Sequence, residues 1–226
     1  MLVKTLIHLK SFLDRGIDWR NRSRQGALGE FYRHGGNELL VSKFELTSND
    51  WIVDAGGFRG EWSDEMLCRY GAKVVVFEPN PPYAAQLRDR YMANDRVELI
   101  EAALSDQTGH RALSLCGEGS TLMSSTSAFG TIDVQLVDVR QLFEKRFSSG
   151  LGCLKLNVEG AEYEILEKLL STGQVSGIRF ILVQFHKGPL NCIQKREQIQ
   201  MRLSESHNKV FDFPFVWELW REKMKT

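Results

Sequence analysis

The fold is decided by residues 51–80, which read WIVDAGGFRGEWSDEMLCRYGAKVVVFEPN. The apolar run 51–54 predicts a short buried strand, and a glycine-rich turn follows it at once. Residues 61–70 predict a helix that Gly71 ends, and residues 73–78 predict a second, unbroken apolar strand. A strand, a glycine turn, a helix and another strand in this order are typical of a parallel α/β sheet.

The same alternation continues toward the carboxyl terminus. Residues 83–93 predict a helix and residues 96–104 a third strand. The remaining pattern predicts strands at 111–116, 131–138, 153–158 and 178–185 and helices at 139–147, 161–171 and 191–206; the aromatic-rich end is strand-like. Near-continuous apolar strands are typical of a parallel sheet covered on both faces. The expected fold class is therefore α/β, a doubly wound, mostly parallel sheet.

The amino-terminal segment is expected to be a separate helical extension. Residues 2–13 place apolar side chains at near-helical spacing. The segment from Met1 to His34 contains seven Lys or Arg and three acids. A basic amphipathic helix packs against its own domain or lies on an anionic membrane surface or a partner, here through residues 1–25. The predicted division is an extension, 1–45, and a main domain, 46–226.

Composition excludes several classes of protein. The chain has 226 residues with 29 basic and 29 acidic side chains, and this balance argues against a globally basic nucleic-acid binder. Neither its four cysteines nor its five histidines form a metal-binding pair, so no metal site is expected. Reduced thiols and the lack of a cleavable leader predict a cytoplasmic protein.

The glycine turn points to a nucleoside ligand. Dinucleotide loops require Gly-x-Gly-x-x-Gly, which would need glycine at Ala55 or Phe58. The carboxylate of Asp54 at the strand end would repel a diphosphate and attract a cationic methionine group, by about 4 kcal/mol at 4 Å and an effective dielectric constant near 20. A turn required only for packing is the alternative.

Two further acids end the next two strands. Glu78 ends the second strand, where a carboxylate commonly accepts hydrogen bonds from ribose hydroxyls. Glu101 ends the third and is a candidate for the adenine edge. Each of these side chains is alternatively a solvated strand-end carboxylate.

Five segments together resemble the FkbM-type S-adenosylmethionine-dependent methyltransferases. They are VDAGGFRGEWS (53–63), VVVFEPNP (74–81), EAALSD (101–106), LKLNVEGAEYEIL (154–166) and VQFH (183–186). The resemblance implies a Rossmann-like class I fold, S-adenosyl-L-methionine as cofactor, and methyl transfer to a hydroxyl oxygen of a sugar, glycan or natural product. The cofactor-binding candidates at matching positions are Asp54, Gly56, Gly57, Gly60, Glu78, Pro79, Glu101 and Ala102.

Three positions depart from the pattern of that family. Asn157 stands where the family usually has Asp, Gln184 where it usually has Glu, and Glu101 where it often has Asn. Amides cannot act as bases and bind hard cations poorly. The alternative function is therefore a cofactor-binding scaffold with reduced catalysis; a nicotinamide-dependent oxidoreductase is a third hypothesis.

The catalytic candidates lie on the later strands. His186 is the candidate general base, because histidine titrates near neutral pH, although it is alternatively a residue that orients a loop. Asn157 and Lys155 complete the set, and a charged Lys155 inside an apolar strand is expected to pair with a carboxylate. Glu159 is expected to bind backbone amides at the start of the following helix.

The acceptor is expected to meet a polar loop. Residues 117–130 have the length and polarity of a substrate lid, and Ser120 and Thr121 are the candidate substrate-binding residues. A flexible surface loop is the alternative. An aromatic group near the end of the chain is expected to form an acceptor wall, a homodimer face or part of the core; its members are Phe211, Phe213, Phe215, Trp217 and Trp220.

Overall fold

The computed structural model describes residues 25–114 and 130–224. Its helices are α1 (25–33), α2 (Leu39–Ser42), α3 (Glu61–Tyr70), α4 (Pro81–Tyr91), α5 (Val139–Arg146), α6 (Glu162–Thr172) and α7 (Cys192–Ser206). Its strands are β1 (Trp51–Ala55), β2 (Lys73–Phe77), β3 (Val97–Ile100), β4 (Ala103–Ser105), β5 (Gly109–Ser114), β6 (Thr131–Asp138), β7 (Leu151–Leu156), β8 (Ile178–Val183), β9 (His207–Phe213) and β10 (Trp217–Glu222). Two short 3₁₀ helices, Gly36–Glu38 and Gln174–Gly177, complete the described elements.

The main sheet has seven strands in the order β3-β2-β1-β7-β8-β10-β9. The pairs among β3, β2, β1, β7 and β8 are parallel, whereas β10 is antiparallel to both of its neighbours. The predicted α/β class with a mostly parallel sheet is confirmed. Because β10 runs against β8, it begins at the edge where β1, β2, β7 and β8 end.

Helices cover both faces of this sheet. The first face carries Ile52 and Val74 and packs against α1 to α4, whereas the second carries Val53 and Val75 and packs against α5 to α7. All six residues of β7 are buried, as a strand in the middle of a two-sided sheet requires. Alternate residues of β1 therefore serve different cores, and Asp54 lies on the same side as Ile52.

The described part of the predicted extension packs on the first face. Ala27 and Phe31 of α1 and Leu40, Val41 and Phe44 belong to the same apolar cluster as the sheet residues. The predicted amphipathic helix at 2–13 lies outside the described residues. Within the described ranges, no helix has the length and apolar character needed to cross a bilayer.

The prediction of one strand over 96–104 is wrong. The chain leaves the main sheet at Ile100, where the amide of Ala102 donates to the Ile100 carbonyl at 2.8 Å and closes a three-residue turn. Residues 103–105 then pair with β6 in a separate sheet of order β4-β6-β5. Ala102 to Leu104 are apolar because they are buried, so in the sequence they continue the apolar pattern of β3 and the two strands read as one.

Most other predicted elements are confirmed with small shifts. The strand at 131–138 has the predicted bounds, and the helix predicted from 83 begins at Pro81, since proline is tolerated in the first turn. The strand predicted at 153–158 ends at Leu156, so Asn157 is a loop residue. The aromatic end of the chain is the β9–β10 hairpin, with Phe215 at its turn.

Candidate functional site

The glycine loop after β1 is shaped by close contacts within the protein. The amides of Gly56 and Gly57 both donate to the Phe77 carbonyl at 3.0 Å, which fixes the loop against the end of β2. A Cβ on Gly56 would lie 2.1 Å from the Asn157 carbonyl oxygen, and one on Gly57 would lie 2.2 Å from the Val76 side chain. Glycine is therefore required at both positions for packing alone.

The carboxylate of Asp54 is fully buried and doubly bound. Its Oδ1 accepts from Lys155 Nζ at 2.6 Å, and its Oδ2 accepts from Ser63 Oγ of α3 at 2.6 Å. Asp54 and Lys155 are register partners on adjacent parallel strands, so their side chains leave the same face side by side. The expectation that Lys155 pairs with a carboxylate is confirmed.

This ion pair corrects the electrostatic reasoning from the sequence. Asp54 was predicted to face the ligand as a free negative charge, whereas Lys155 neutralises it and also donates to the Gly56 carbonyl at 2.8 Å. The pair instead fixes the end of β1 to the end of β7, beneath the glycine loop. These two contacts hold the Lys155 ammonium at the junction of β1 and β7.

Glu78 organises the loop from the neighbouring strand. Its carboxylate accepts from the amide of Phe58 at 2.8 Å and from the amide of Asn80 at 2.9 Å. Burial raises the pKa of the Glu78 carboxyl, and the two amide donors oppose that rise. Phe58 has a left-handed backbone with φ of 50°, which the bond to Glu78 helps to hold.

A first cavity of about 280 Å³ opens beside this carboxylate. Its walls combine the loop, the ends of β2 and β7, and the second sheet. The described lining residues are Gly56, Phe58, Phe77, Glu78, Pro79, Asn80, Tyr83, Ala103, Leu104, Leu113, Asn157, Val158 and Glu159. The ring centroids of Phe58 and Tyr83 lie 4.5 Å apart and form an aromatic side of the cavity, and Glu78 provides an acidic corner.

Several predicted cofactor residues lie elsewhere. The Glu101 carboxylate is exposed and binds Arg88 at 2.6–2.9 Å, and neither Glu101 nor Ala102 lines the first cavity; Ala103 and Leu104 line it instead. Gly60 is the N-cap residue before α3, with φ of 87°, and lies against Tyr91, outside the cavity lining. Gly56, Glu78 and Pro79 are brought together on the cavity wall.

A second cavity, of about 400 Å³, lies on the other side of the glycine loop. It is bounded by the 37–41 segment, by α3 and by the first residue of β10. The described lining residues are Asn37, Glu38, Leu40, Val41, Gly56, Gly57, Phe58, Glu61, Trp62, Glu65, Arg69, Lys155, Asn157 and Trp217. Gly56, Phe58 and Asn157 line both cavities and mark where the two meet.

Asn157 lies at this junction with an unsatisfied group. Its backbone amide donates to the Ala55 carbonyl at 3.0 Å, which fixes the residue against β1. Its buried Oδ1 has no hydrogen-bond partner among the described residues. A buried oxygen without a donor is costly, so this atom is a candidate contact for a ligand O–H or N–H.

His186 is held between two carboxylates. Its Nε2 lies 3.3 Å from Glu159 Oε1, and its Nδ1 lies 3.3 Å from Glu162 Oε1. Burial alone would lower the pKa of His186, but these two acids together raise it to about 9. At that pKa the imidazole carries a proton at neutral pH, which disfavours the predicted role as a general base, and the alternative of a residue that orients a loop stays a prediction beside it.

Glu162 is the site residue that sequence reasoning missed. Its fully buried carboxylate accepts from the amide of Gly160 at 2.8 Å and from the amide of His186 at 2.7 Å, so it ties the loop after β7 to the loop after β8. The loop-binding role expected of Glu159 is filled by Glu162, and Glu159 instead lines the first cavity. The sequence signal for this role was the position of Glu162, an acid in the first turn of a predicted helix just after Gly160, where a carboxylate can bind free backbone amides.

Of the remaining candidates within the described residues, Trp217 lines the second cavity and the others line neither cavity. Ser120 and Thr121 lie outside the described residues. The backbone amide of Gln184 donates to the Leu156 carbonyl at 3.0 Å, and Gln184 is not part of either lining. In the aromatic group, Phe213, Phe215 and Trp220 are buried in the core, whereas Trp217 lines the second cavity.

The sheet order, the reversed β10 and a glycine loop at the carboxyl edge define a class I, Rossmann-like methyltransferase fold. The family model of the methyltransferase FkbM domain matches residues 54–222. The chain belongs to the FkbM methyltransferase family, whose methyl donor is S-adenosylmethionine.

Solved structures support the fold at low sequence identity. An FkbM methyltransferase from Methylobacillus flagellatus is 11% identical with a TM-score of 0.53; the match covers 79% of this chain and 45% of that one. A "putative rRNA-methylase" from Clostridium thermocellum is 13% identical with a TM-score of 0.50, covering 84% of this chain and 96% of that one. This chain thus spans less than half of the Methylobacillus protein.

One curated relative matches over a short region. It is a "Probable ribosomal RNA small subunit methyltransferase A" from Methanococcoides burtonii, 32% identical over 63 residues. The match covers 28% of this chain and 23% of that protein, which is too little to transfer a substrate.

Proposed function

We propose that this protein transfers a methyl group from S-adenosylmethionine to a hydroxyl oxygen of a sugar, glycan or natural product. The observation that carries the proposal is the first cavity, which places Glu78 and the Phe58–Tyr83 pair around one opening at the carboxyl edge of the sheet. Ligands of open α/β sheets bind at this edge.

The lining residues fit an adenosyl group. The Glu78 carboxylate uses two acceptor positions for backbone amides and retains others for the two ribose hydroxyls. The aromatic and aliphatic walls suit a flat base, and Asn157 Oδ1 offers an acceptor to a donor from the methionine end. When bound, the cofactor supplies an activated methyl group, so the protein mainly has to orient an acceptor beside it.

A cofactor-binding protein with reduced catalysis is the second candidate. It is favoured by the state of the predicted base, since His186 is protonated at neutral pH and Asn157 is an amide. Formation of S-adenosylhomocysteine by the native protein with any hydroxyl acceptor would exclude it. If Asn157→Asp with Gln184→Glu gains no turnover either, the second candidate is favoured.

Calorimetric titration with S-adenosylhomocysteine tests the cofactor site. In Glu78→Gln one backbone donor faces an amide NH₂ and the ribose loses a charged acceptor, so we expect affinity to fall about tenfold to a hundredfold. The matched control is Glu101→Gln, which removes an exposed strand-end carboxylate outside the cavity and should change affinity less than twofold. Thermal melting confirms that both variants fold.

The result that would overturn the cofactor site is a folded Glu78→Gln protein that binds as tightly as the native one. A larger thermal shift with NAD than with S-adenosylmethionine would favour the oxidoreductase hypothesis instead. The domain division at residue 45, the cytoplasmic location, the membrane or partner contact of residues 1–25 and the homodimer stay predictions.

A further inference from the structure

We propose that the second cavity is the acceptor site and that it selects a neutral or cationic hydroxyl compound over an anionic one. This rests on the proposed function, because it takes the first cavity as the place of the cofactor.

The position of the second cavity suits an acceptor. A reacting oxygen must lie about 3–3.5 Å from the carbon that it attacks, so donor and acceptor sites must open into each other. The linings of the two cavities share Gly56, Phe58 and Asn157, so the cavities meet at the glycine loop and at the end of β7. Asn157 belongs to both linings, and its Oδ1 has two lone pairs, so beside a donor from the methionine end it can accept a second hydrogen bond from an incoming hydroxyl.

The charges of the second cavity are unbalanced. Glu38, Glu61 and Glu65 contribute three carboxylates to its described lining. Arg69 binds Glu38 at 2.7 Å and Glu65 at 2.9 Å, and the charge of Lys155 is matched by Asp54. The lining therefore carries three carboxylates against the one guanidinium of Arg69, and this excess of negative charge opposes the entry of a phosphorylated acceptor.

The walls of the second cavity favour a small ring compound. Trp62 is held by a bond from its Nε1 to the Leu40 carbonyl at 2.8 Å, and Trp217 lies across the cavity lining at the start of β10. Indole rings provide flat apolar faces for stacking and attract cations. A volume of about 400 Å³ is within the range of small-molecule sites, so one or two rings fit better than a polymer.

Saturation-transfer NMR on the full chain with bound S-adenosylhomocysteine tests this site. The probes share one ring and differ in charge: glucosamine, glucose and glucose 6-phosphate. We expect signals from the first two that exceed the signal of the phosphate at least fivefold. Glu61→Lys reverses one exposed cavity charge and should raise the phosphate signal and lower the glucosamine signal, each at least threefold.

The control is Glu144→Lys, an equivalent reversal on the exposed side of α5, which should behave as the native protein. The acceptor site is overturned if glucose 6-phosphate binds as well as glucose, if Glu61→Lys changes nothing, if no probe gives a signal, or if an RNA hairpin displaces the probes. Calorimetry separates the two proposals: lost S-adenosylhomocysteine binding counts against the cofactor site, whereas intact binding with the wrong charge preference counts against the acceptor site alone.

Discussion

Asp54 and Glu162 are both fully buried carboxylates at the carboxyl edge of the sheet, but they are neutralised in different ways. Asp54 faces a lysine on the neighbouring strand, so two fixed elements carry opposite charges. Glu162 accepts two backbone amides and lies against an imidazolium, and all of these donors come from loops. The Asp54–Lys155 pair joins two strands beneath the glycine loop, whereas Glu162 sets the shape of the loops after β7 and β8.

The largest effect is expected at the first carboxylate. Asp54→Ala leaves Lys155 buried without its counter-ion, which should lower the free energy of unfolding by about 3–5 kcal/mol. It should also abolish S-adenosylhomocysteine binding, because the glycine loop loses the ion pair that supports it from below. Urea unfolding and calorimetry measure both. The double variant Asp54→Asn with Lys155→Met removes both charges and should recover most of the stability. A single variant within 1 kcal/mol of the native protein would show that the pair is not the anchor.

A pH titration of stability tests the second arrangement. The folded pKa of His186 is about 9, above the unfolded value near 6.5, so its stabilisation is fully present below pH 6.5 and is lost as the pH rises through 9. We expect a loss of about 2–3 kcal/mol over this window. In His186→Gln the slope attributable to this group should disappear. An unchanged slope in the variant would mean that the two acids do not hold the proton.

The smallest effect is expected for Glu162→Gln. The amide keeps one acceptor oxygen for the loops but loses the charge, so we expect a cost of about 1–2 kcal/mol. Hydrogen exchange should show faster exchange at the amides of Gly160 and His186 specifically. Glu164→Gln, on the partly exposed side of the same helix, is the matched control. Equal exchange in both variants would argue that Glu162 does not hold the loops.

The sequence was sufficient for the elements whose signal is local. Apolar runs predicted β1, β2 and β7 because strands buried on both faces must be apolar throughout, and the pairing of Lys155 followed from the cost of burying a charge. The identity of its partner depends on the register of β1 against β7, which no local pattern contains. The turn at Ala102 was missed for a related reason, since burial in two different sheets looks the same in sequence.

The candidate site was predicted less completely. Gly56, Glu78 and Pro79 were found because they follow strand ends, which meet at one edge in a parallel sheet. His186 was assigned an ordinary pKa, because the two acids that raise it come from other parts of the chain, Glu159 from the loop after β7 and Glu162 from the first turn of α6. Trp62 and Trp217 form one cavity only after β10 has reversed its direction.

The antiparallel direction of β10 divides the two cavities between different parts of the sheet. The ends of central strands β1, β2 and β7 carry the contacts assigned to the methyl donor, whereas Trp217 joins the lining of the second cavity from a hairpin at the border of the sheet. If the second cavity takes the acceptor as proposed, exchanging the side chains at the start of β10 changes which compound is recognised and leaves the donor contacts intact, so this strand is the place to begin when redesigning substrate range.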